Sequence, residues 1–252
     1  MKEVVINKNK IEIYDSIEDL PIVRFSKYNK YLLIDSAIGS DIDSINVRIN
    51  KAIAYTKTNI SNAVKELQNL MQCINFIENE INPKHYAFAV LVKSINGEET
   101  EITDLGIKKT LEKLSEITQK QLLKQMKEAK KKIESELIAF RFQKQSSESK
   151  EFYNKIKRRL LLILDEIEND NDNSLEIDAI TQELITFSDT VSFFGNENAE
   201  VEHEKRFEDN CLVITKEFGT DAKKMTVLEF YNAVENLNKI AKEIKKSGKQ
   251  SR

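Results

Sequence analysis

The sequence predicts a mostly all-α fold that begins with a short β-hairpin. Only six Gly and two Pro interrupt the 252 residues, and Trp is absent. Charged residues make up 32% of the chain and hydrophobic residues 40%, a balance typical of long amphipathic helices. Apolar residues also recur at spacings of three and four through most of the chain, which is the period of one helix face.

Residues 1–15 predict an N-terminal strand arm. The segment EVVINKNKIEIY alternates weakly in hydropathy and carries turn residues at Asn7–Asn9, as a short hairpin does. A lone two-stranded hairpin has little core of its own. We therefore expect the arm to pair with another sheet, such as that of a neighbouring subunit, and Val5, Ile11 and Ile13 are its interface candidates.

Residues 16–103 predict a compact helical bundle. Its first helix is expected at about residues 23–38, with Pro21 as a first helical residue and Gly39 as its C-terminal stop. The aromatic residues of this segment either close a helical core or present an aromatic surface to a partner. The interface candidates on that surface are Pro21, Phe25, Tyr28 and Tyr31.

Two further apolar stripes follow in the bundle, and both are expected to face its core. The first consists of Ile42, Ile45, Ile49 and Ile53. The second, over residues 59–81, is the most regular helical pattern in the chain. Its members are Ile60, Ala63, Val64, Leu67, Leu70, Met71, Ile74, Ile77 and Ile81.

The most hydrophobic segment, NPKHYAFAVLV, starts at Asn82. A buried helix starting at Pro83 and a buried strand are both open, because a short apolar run does not decide between them. Asn96 and Gly97 then predict a turn, and the polar residues after it form a connector or a small hairpin.

Residues 104–195 predict long helices that form an αα-hairpin or coiled-coil-like arm. A helix is expected at 104–117, a capping box at Thr118–Gln121 starts the next one, and a polar break at residues 145–149 separates it from a helix at 149–168. Residues 196–252 predict a C-terminal helical pair, the second starting at the capping box Thr226–Glu229, followed by a frayed basic tail.

The arm at residues 118–168 also carries the main charge asymmetry. Residues 118–145 contain eight basic and three acidic residues, whereas residues 165–183 contain eight acidic residues and no basic one. The basic side could contact phosphates. The two patches could equally dock a neighbouring subunit or this subunit's own tail. The interface candidates on this arm are Lys124, Lys131, Lys155, Arg158 and Arg159.

Composition and motifs argue against several functional classes. The net charge of −3 gives no overall attraction to nucleic acid or to an anionic membrane. No apolar run has the length of a membrane span, and charges interrupt every window that could form a signal-peptide core. The two cysteines, Cys73 and Cys211, are expected to be buried thiols. We therefore expect a protein made in a reducing cytoplasm.

No residue pattern predicts an enzyme, a cofactor or a metal site. The chain has two histidines and no Gly-rich phosphate loop. The Asn169–Asn173 cluster lacks the Gly and Glu that a calcium loop needs, so a solvated link is expected. Glu202, His203 and Glu204 are adjacent on a helix and cannot all face one ion. An enzyme whose site forms only between subunits remains an alternative.

Three segments resemble a known kind of protein. The runs IYDSIEDLPIVRFSKYNKYLLIDSAIGSDIDSINVRINKAIAY and INPKHYAFAVLVKSINGEE, with DNCLVITKEFGTDAKKMTVLEFYNAVENLNK near the C-terminus, resemble virion structural proteins of tailed bacteriophages, in particular crAss-like phages. The resemblance covers roughly half of the chain and includes no catalytic motif. It implies a virion location as a head–tail ring, tail or capsid-associated component.

Residues and resemblance together predict a non-enzymatic structural or assembly protein of a bacteriophage virion. We expect it to form a homo-oligomer and to dock other virion proteins, with no small-molecule ligand and no membrane contact. One alternative is a nucleic-acid-associated protein that uses the basic helical arm. Another is an assembly chaperone that is absent from the mature particle.

Overall fold

A computed structural model describes residues 1–115, 119–141, 147–169, 171–187 and 189–250. Over these residues the chain is mostly helical, which confirms the predicted all-α fold with a small β-hairpin. The strands are β1 (Lys2–Ile6), β2 (Asn9–Ile13), β3 (Val92–Ile95) and β4 (Glu98–Glu99). The helices are α1 (Ile22–Ala37), α2 (Ile42–Thr56), α3 (Ile60–Glu78), α4 (Pro83–Leu91), α5 (Asp104–Ser115), α6 (Gln119–Arg141), α7 (Ser147–Asn169), α8 (Ser174–Ile185), α9 (Ala199–Phe218) and α10 (Val227–Gln250).

The chain divides into two compact units, each built from discontinuous segments. Unit 1 comprises Met1–Asp35, Asn82–Phe140 and Ala199–Arg252, and unit 2 comprises Ser36–Ile81 and Arg141–Asn198. These units differ from the four consecutive segments expected from the sequence, because helices distant in the chain pack together. In particular, the expected segment 104–195 is divided between the two units.

Unit 1 contains an antiparallel sheet in the order β1-β2-β3-β4. The predicted hairpin forms, and its turn residues Asn7 and Lys8 have φ of 49° and 69°, the left-handed values that a tight hairpin turn requires. The sequence had suggested pairing with another sheet, such as that of a neighbouring subunit. In the structure the hairpin joins a sheet of its own chain, because Ile11 of β2 pairs with Ile95 of β3. Among the described strands, the outer edges of β1 and β4 stay unpaired.

The hydrophobic segment after Asn82 forms a helix and then a strand, so each of the two open alternatives describes part of it. Pro83 is the first residue of α4, and the Asn82 side chain accepts a hydrogen bond from the Lys84 amide at 3.0 Å. The chain then passes directly into β3. The predicted turn at Asn96 and Gly97 joins β3 to β4, which makes the small hairpin.

Helices pack on this sheet to form the core of unit 1. Ile11 and Ile13 of β2 and Leu91 of α4 are fully buried there, together with Met126 and Ile133 of α6. The same core takes in residues of α9 and α10, including Ile214, Val227 and Phe230. The predicted capping box at the start of α10 is present, since the Thr226 amide donates to Glu229 Oε2 at 2.8 Å and the Glu229 amide to Thr226 Oγ1 at 3.3 Å.

Several predicted helix ends differ in detail. Pro21 lies before α1 instead of within it, because it forms an isolated β-bridge with Thr226, and its carbonyl accepts from the Phe25 amide. Gly39 follows α1 with φ of 76°, as expected for a C-terminal stop. The backbone of α10 is helical as far as Gln250, whereas the sequence had suggested a frayed tail. The predicted cap residue Thr118 lies outside the described residues, as do residues 145 and 146 of the polar break and the last two residues of the tail. Residues 147–149 of the predicted break belong to α7.

Unit 2 consists of α2, α3, α7 and α8. Helix α7 packs antiparallel on α8, where Lys155 pairs with Glu183 at 2.7 Å and Arg159 Nε donates to Thr181 Oγ1 at 2.8 Å. The expected hairpin partner of α7 was α6. Because α6 buries its apolar seam in unit 1, the antiparallel pair within unit 2 is α7 with α8.

Arg24 of α1 connects the main elements of unit 1. Its Nη1 donates to the carbonyls of Val90 at 3.0 Å and Val92 at 2.9 Å, and its Nη2 donates to the carbonyl of Thr100 at 2.5 Å. The guanidinium also lies 5.6 Å from the centre of the Tyr14 ring. Burial lowers the pKa of Arg24, and its donors bond three backbone carbonyls, of which that of Val92 also accepts from Thr100 Oγ1. It therefore joins α1 to the junction of α4 and β3.

We predict that Arg24→Ala lowers the free energy of unfolding by about 3 kcal/mol, because several part-buried carbonyls lose their donor. Urea unfolding followed by circular dichroism measures this. Arg206→Ala is a matched control, because Arg206 is exposed and pairs only with Glu202 on its own helix, so its loss should cost under about 0.5 kcal/mol. Equal effects of the two substitutions would contradict the role given to Arg24.

Candidate protein-interaction face

The inner face of α3, which points into unit 2, is polar. Four of its buried residues follow one another at spacings of four, three and four: Asn62, Glu66, Asn69 and Cys73. Asn59 starts the helix, and its side chain accepts from the Asn62 amide at 3.2 Å. Buried polar groups are costly unless they are hydrogen-bonded, so the partners of this face determine whether α3 can pack in this orientation.

Glu66 is the centre of the polar inner face and is fully buried. Its Oε2 lies 3.2 Å from Arg48 Nη1, and its Oε1 accepts from Thr190 Oγ1 at 2.8 Å. Arg48 Nη2 also donates to the carbonyl of Ser36 at 3.2 Å. The adjacent Lys51 ammonium lies 4.0 Å from Glu66, and burial lowers the pKa of Lys51. The carboxylate is thus paired and hydrogen-bonded on both oxygens.

An extended segment at residues 189–192 supplies the remaining partners. Asn62 Nδ2 donates to Asp189 Oδ1 at 2.7 Å, and Asn69 Nδ2 donates to the carbonyl of Val191 at 2.9 Å. Together with Thr190, these contacts bind the segment along α3. Cys73, at the other end of the face, donates weakly to the Asp41 carbonyl at 3.9 Å, and burial raises the pKa of its thiol.

The outer face of α3 carries the apolar stripe. Of the nine residues of this stripe, Ala63 is buried and Leu70, Ile77 and Ile81 are partly buried. The other five are between 40% and 71% exposed, although the sequence pattern had placed them in a core. These residues, Ile60, Val64, Leu67, Met71 and Ile74, are called the outer stripe below. The expectation was wrong for them because the polar side chains on the opposite face of α3 form hydrogen bonds and an ion pair inside unit 2. A helix cannot bury both of its faces against the same neighbours.

The apolar core of unit 2 is correspondingly small. Among its described residues, eight apolar side chains are buried, of which four are Ala and three are large. They are Ala37, Ile38, Ala52, Ala54, Tyr55, Ala63, Cys73 and Ile180. Other large apolar side chains of the unit are exposed on its remaining helices. They are Ile42, Val47, Ile49 and Ile53 on α2, Tyr153, Leu160, Leu161, Leu164 and Ile167 on α7, and Leu175 on α8.

Four of the interface candidates predicted from the sequence are core residues of unit 1. Ile11 and Ile13 are fully buried in the sheet, and Phe25 and Tyr28 are buried on α1. The prediction of an interface at these four positions is corrected here, since a side chain that fills the core offers no area to a partner. For Phe25 and Tyr28, the alternative of closing a helical core is the one that the structure shows.

Three other candidates from the N-terminal region keep part of their surface. Val5 is 66% exposed on the edge strand β1. Pro21 is half-buried at its bridge, and Tyr31 is half-buried with its ring 5.4 Å from that of Tyr86. Burial raises the pKa of Tyr31 to about 12, so its hydroxyl stays protonated. The predicted aromatic surface is therefore reduced to the exposed part of Tyr31.

The basic candidates on α7 have partners within unit 2. Lys155 pairs with Glu183 and Arg158 with Glu176, and Arg159 bonds Thr181. These contacts join the basic cluster of α7 to acidic residues of α8, so in unit 2 the two charge patches pair with each other, which is neither of the expected arrangements.

The basic candidates on α6 have a different environment. Lys124 and Lys131 are exposed, and Lys127 lies between them at helical spacing. None of these three lysines has an ion-pair partner within 4 Å among the described residues. They line one face of α6 together with Leu123 and Glu128, and Glu128 pairs with Lys2 at 2.8 Å.

His203 and the Asn-rich link have structural partners. His203 Nε2 lies 3.0 Å from the Ser26 carbonyl, and burial lowers the pKa of His85. In the link after α7, Asp165 accepts from the side-chain amides of Asn169, Asn171 and Asn173, and these bonds lower the pKa of its carboxyl. No cluster of three or more His, Cys, Asp or Glu side chains suited to a metal ion occurs in the described part of the chain.

Comparison with known proteins gives no match. No family model, no curated protein and no solved structure is significantly similar to the chain. None of the described helices is long and apolar enough to cross a membrane. The virion assignment drawn from the three resembling segments therefore stays a prediction.

We predict that Glu66→Ala lowers the free energy of unfolding of unit 2 by about 3 kcal/mol, because it leaves the Arg48 charge buried without its partner. Urea unfolding, with hydrogen exchange to follow the α3 amides, measures the loss. The double variant Arg48→Met with Glu66→Met should regain most of the stability, since it removes both charges and keeps the volume. A single substitution costing under about 0.5 kcal/mol would show that the pair does not hold this unit together.

Proposed function

We propose that this chain is a non-enzymatic structural or assembly protein of a bacteriophage particle, which multimerises and docks other virion proteins. The observation that carries the proposal is the inverted arrangement of unit 2, with polar residues inside and large apolar residues outside. Apolar side chains gain free energy when they leave water. A unit with this arrangement gains it by contacting another polypeptide.

The size of the exposed apolar area supports a protein partner. The outer stripe alone exposes roughly 500 Å² of side-chain surface, comparable with the largest apolar patch that a typical monomer carries, and such patches are often functional. At about 25 cal/mol per Å², burying it contributes on the order of 12 kcal/mol before the costs of association. The exposed residues of α2 and α7 add further area.

The particle context is supported by the three segments that resemble virion proteins. One of them includes an inverted helix, since the first segment covers nearly all of α2, whereas the second begins just after α3. Virion proteins act through repeated contacts between subunits, and closed assemblies require such faces to be complementary. An apolar helical face on every copy supplies contacts of this kind.

We expect the purified protein to form a homo-oligomer and to be a component of the mature particle, because its exposed apolar faces require partners. Native mass spectrometry gives the oligomeric state, and proteomics of purified virions from the encoding phage gives the location. A strictly monomeric protein that is absent from particles would contradict the proposal. An oligomer found only during assembly would identify an assembly chaperone instead.

A second candidate function, nucleic-acid association, is favoured by the lysine face of α6. Lys124, Lys127 and Lys131 follow one another at spacings of three and four and have no described ion-pair partner, so they could contact successive phosphates.

If these lysines bind DNA, the logarithm of the affinity should fall with the logarithm of salt concentration with a slope of about −3, and Lys124→Glu with Lys131→Glu should abolish binding. Fluorescence anisotropy with a duplex at 50 mM to 200 mM salt measures this. Lys155→Glu is the control, because Lys155 already pairs with Glu183. No binding at 50 mM salt would eliminate this function.

A further inference from the structure

The outer stripe of α3 identifies a specific partner. We propose that it is a self-association face, which packs against the outer stripe of a second copy of this chain. The inference rests on the proposed function and deepens it, because it assigns one face and one occupant to the multimerisation suggested above.

The first argument is the spacing of the stripe. Ile60, Val64, Leu67, Met71 and Ile74 are separated by four, three, four and three residues. This is the strict alternation of a coiled-coil seam, in which apolar residues of one helix insert between four residues of another. The other apolar stripe residues within α3, Ala63, Leu70 and Ile77, are buried or partly buried, so the exposed part of the face is this narrow seam. The pattern therefore matches another helix, and it faces solvent.

The second argument is the absence of charge along the seam. Before Glu78, the only charged residues of α3 are Lys65 and Glu66. Glu66 is fully buried in unit 2, and Lys65 is half-buried and pairs with Glu197 at 2.6 Å. The positions beside the stripe that face outward are the uncharged residues Ser61, Gln68 and Asn75.

This neutrality favours an identical partner. Charged residues that flank a coiled-coil seam normally select the partner, and like charges prevent a helix from pairing with itself. Charged residues make up 32% of the chain. The residues that flank this seam are uncharged, so the seams of two copies do not repel each other. The depletion of charge at the centre of the face is also typical of the buried core of protein interfaces.

The third argument is area. The stripe provides roughly 500 Å² per copy, and its polar borders and the exposed isoleucines of α2 extend the surface of the same unit towards the roughly 800 Å² per partner of a stable interface. A two-fold pair uses the same face on both copies. When two stripes cross at their midpoints, Leu67 of one copy lies against Leu67 of the other.

The test uses the full chain with Leu67 replaced by either charge. Analytical ultracentrifugation from about 1 µM to about 100 µM should show a dimer or larger assembly for the wild-type protein, and Leu67→Glu should raise the dissociation constant by at least about 100-fold. Leu67→Lys should do the same. Mixing the two variants should restore association, because opposite charges then meet at the centre of the seam.

Two controls separate a loss of the interface from a loss of the fold. Circular dichroism should show unchanged helix content in both variants, since Leu67 is half exposed. Leu105→Glu changes an exposed leucine of unit 1 and should leave the assembly unchanged. Recovery on mixing is itself evidence of folded α3 helices, because unfolded chains would not complement each other.

The outcomes also distinguish this inference from the proposed function. An oligomer that neither charge variant weakens would overturn the self-association face while leaving multimerisation intact. A wild-type monomer that is nevertheless incorporated into particles, with incorporation lost in Leu67→Glu, would overturn it as well and assign the stripe to a different virion protein. A monomer absent from particles would overturn both proposals.

Discussion

The buried ion pair between Arg48 and Glu66 determines which face of α3 points into unit 2. Moving a carboxylate out of water costs free energy unless the group is paired and hydrogen-bonded. Here Arg48 pairs with one oxygen of Glu66 and Thr190 donates a hydrogen bond to the other. Once Glu66 points inward, the helical period turns Asn62 and Asn69 inward as well. The 189–192 segment then binds to satisfy them. Because the polar face of α3 is turned inward, the apolar residues on the other side of the helix face solvent.

This constraint has an energetic consequence for the unit as a whole. Hydrophobic burial is normally the dominant favourable term in folding, yet half of the eight buried apolar side chains described in unit 2 are Ala. A polar interior fixes one geometry but adds little net free energy, because each internal hydrogen bond replaces one with water. Unit 2 therefore has more to gain from association than unit 1, whose core includes large residues such as Tyr28, Leu91, Met126 and Ile133.

The two units differ in where their large apolar side chains lie. In unit 1, helices cover the sheet, and Arg24 joins α1 to the α4–β3 junction. In unit 2, many large apolar side chains lie on the outside. Further burial of these side chains requires contact with another surface.

Local signals in the sequence determined much of the secondary structure. The turn at Asn7–Asn9, Pro83 at the start of α4, Gly39 after α1 and the Thr226–Glu229 capping box all act through backbone geometry or hydrogen bonds within a few residues. Such effects do not depend on the rest of the fold. The periodicity of α3 likewise identified a helix with one apolar face, because spacing alone defines a face.

Only the tertiary structure decided what each face meets. The sequence pattern places Leu67 and Met71 on one side of α3 but contains no information on which side is inside, and the apolar side was expected there. That choice depends on Arg48, Thr190 and Asp189, which reach α3 from distant parts of the chain. The pairing of β2 with β3 and of α7 with α8 was decided in the same way, since contacts between distant segments depend on the matching of whole surfaces.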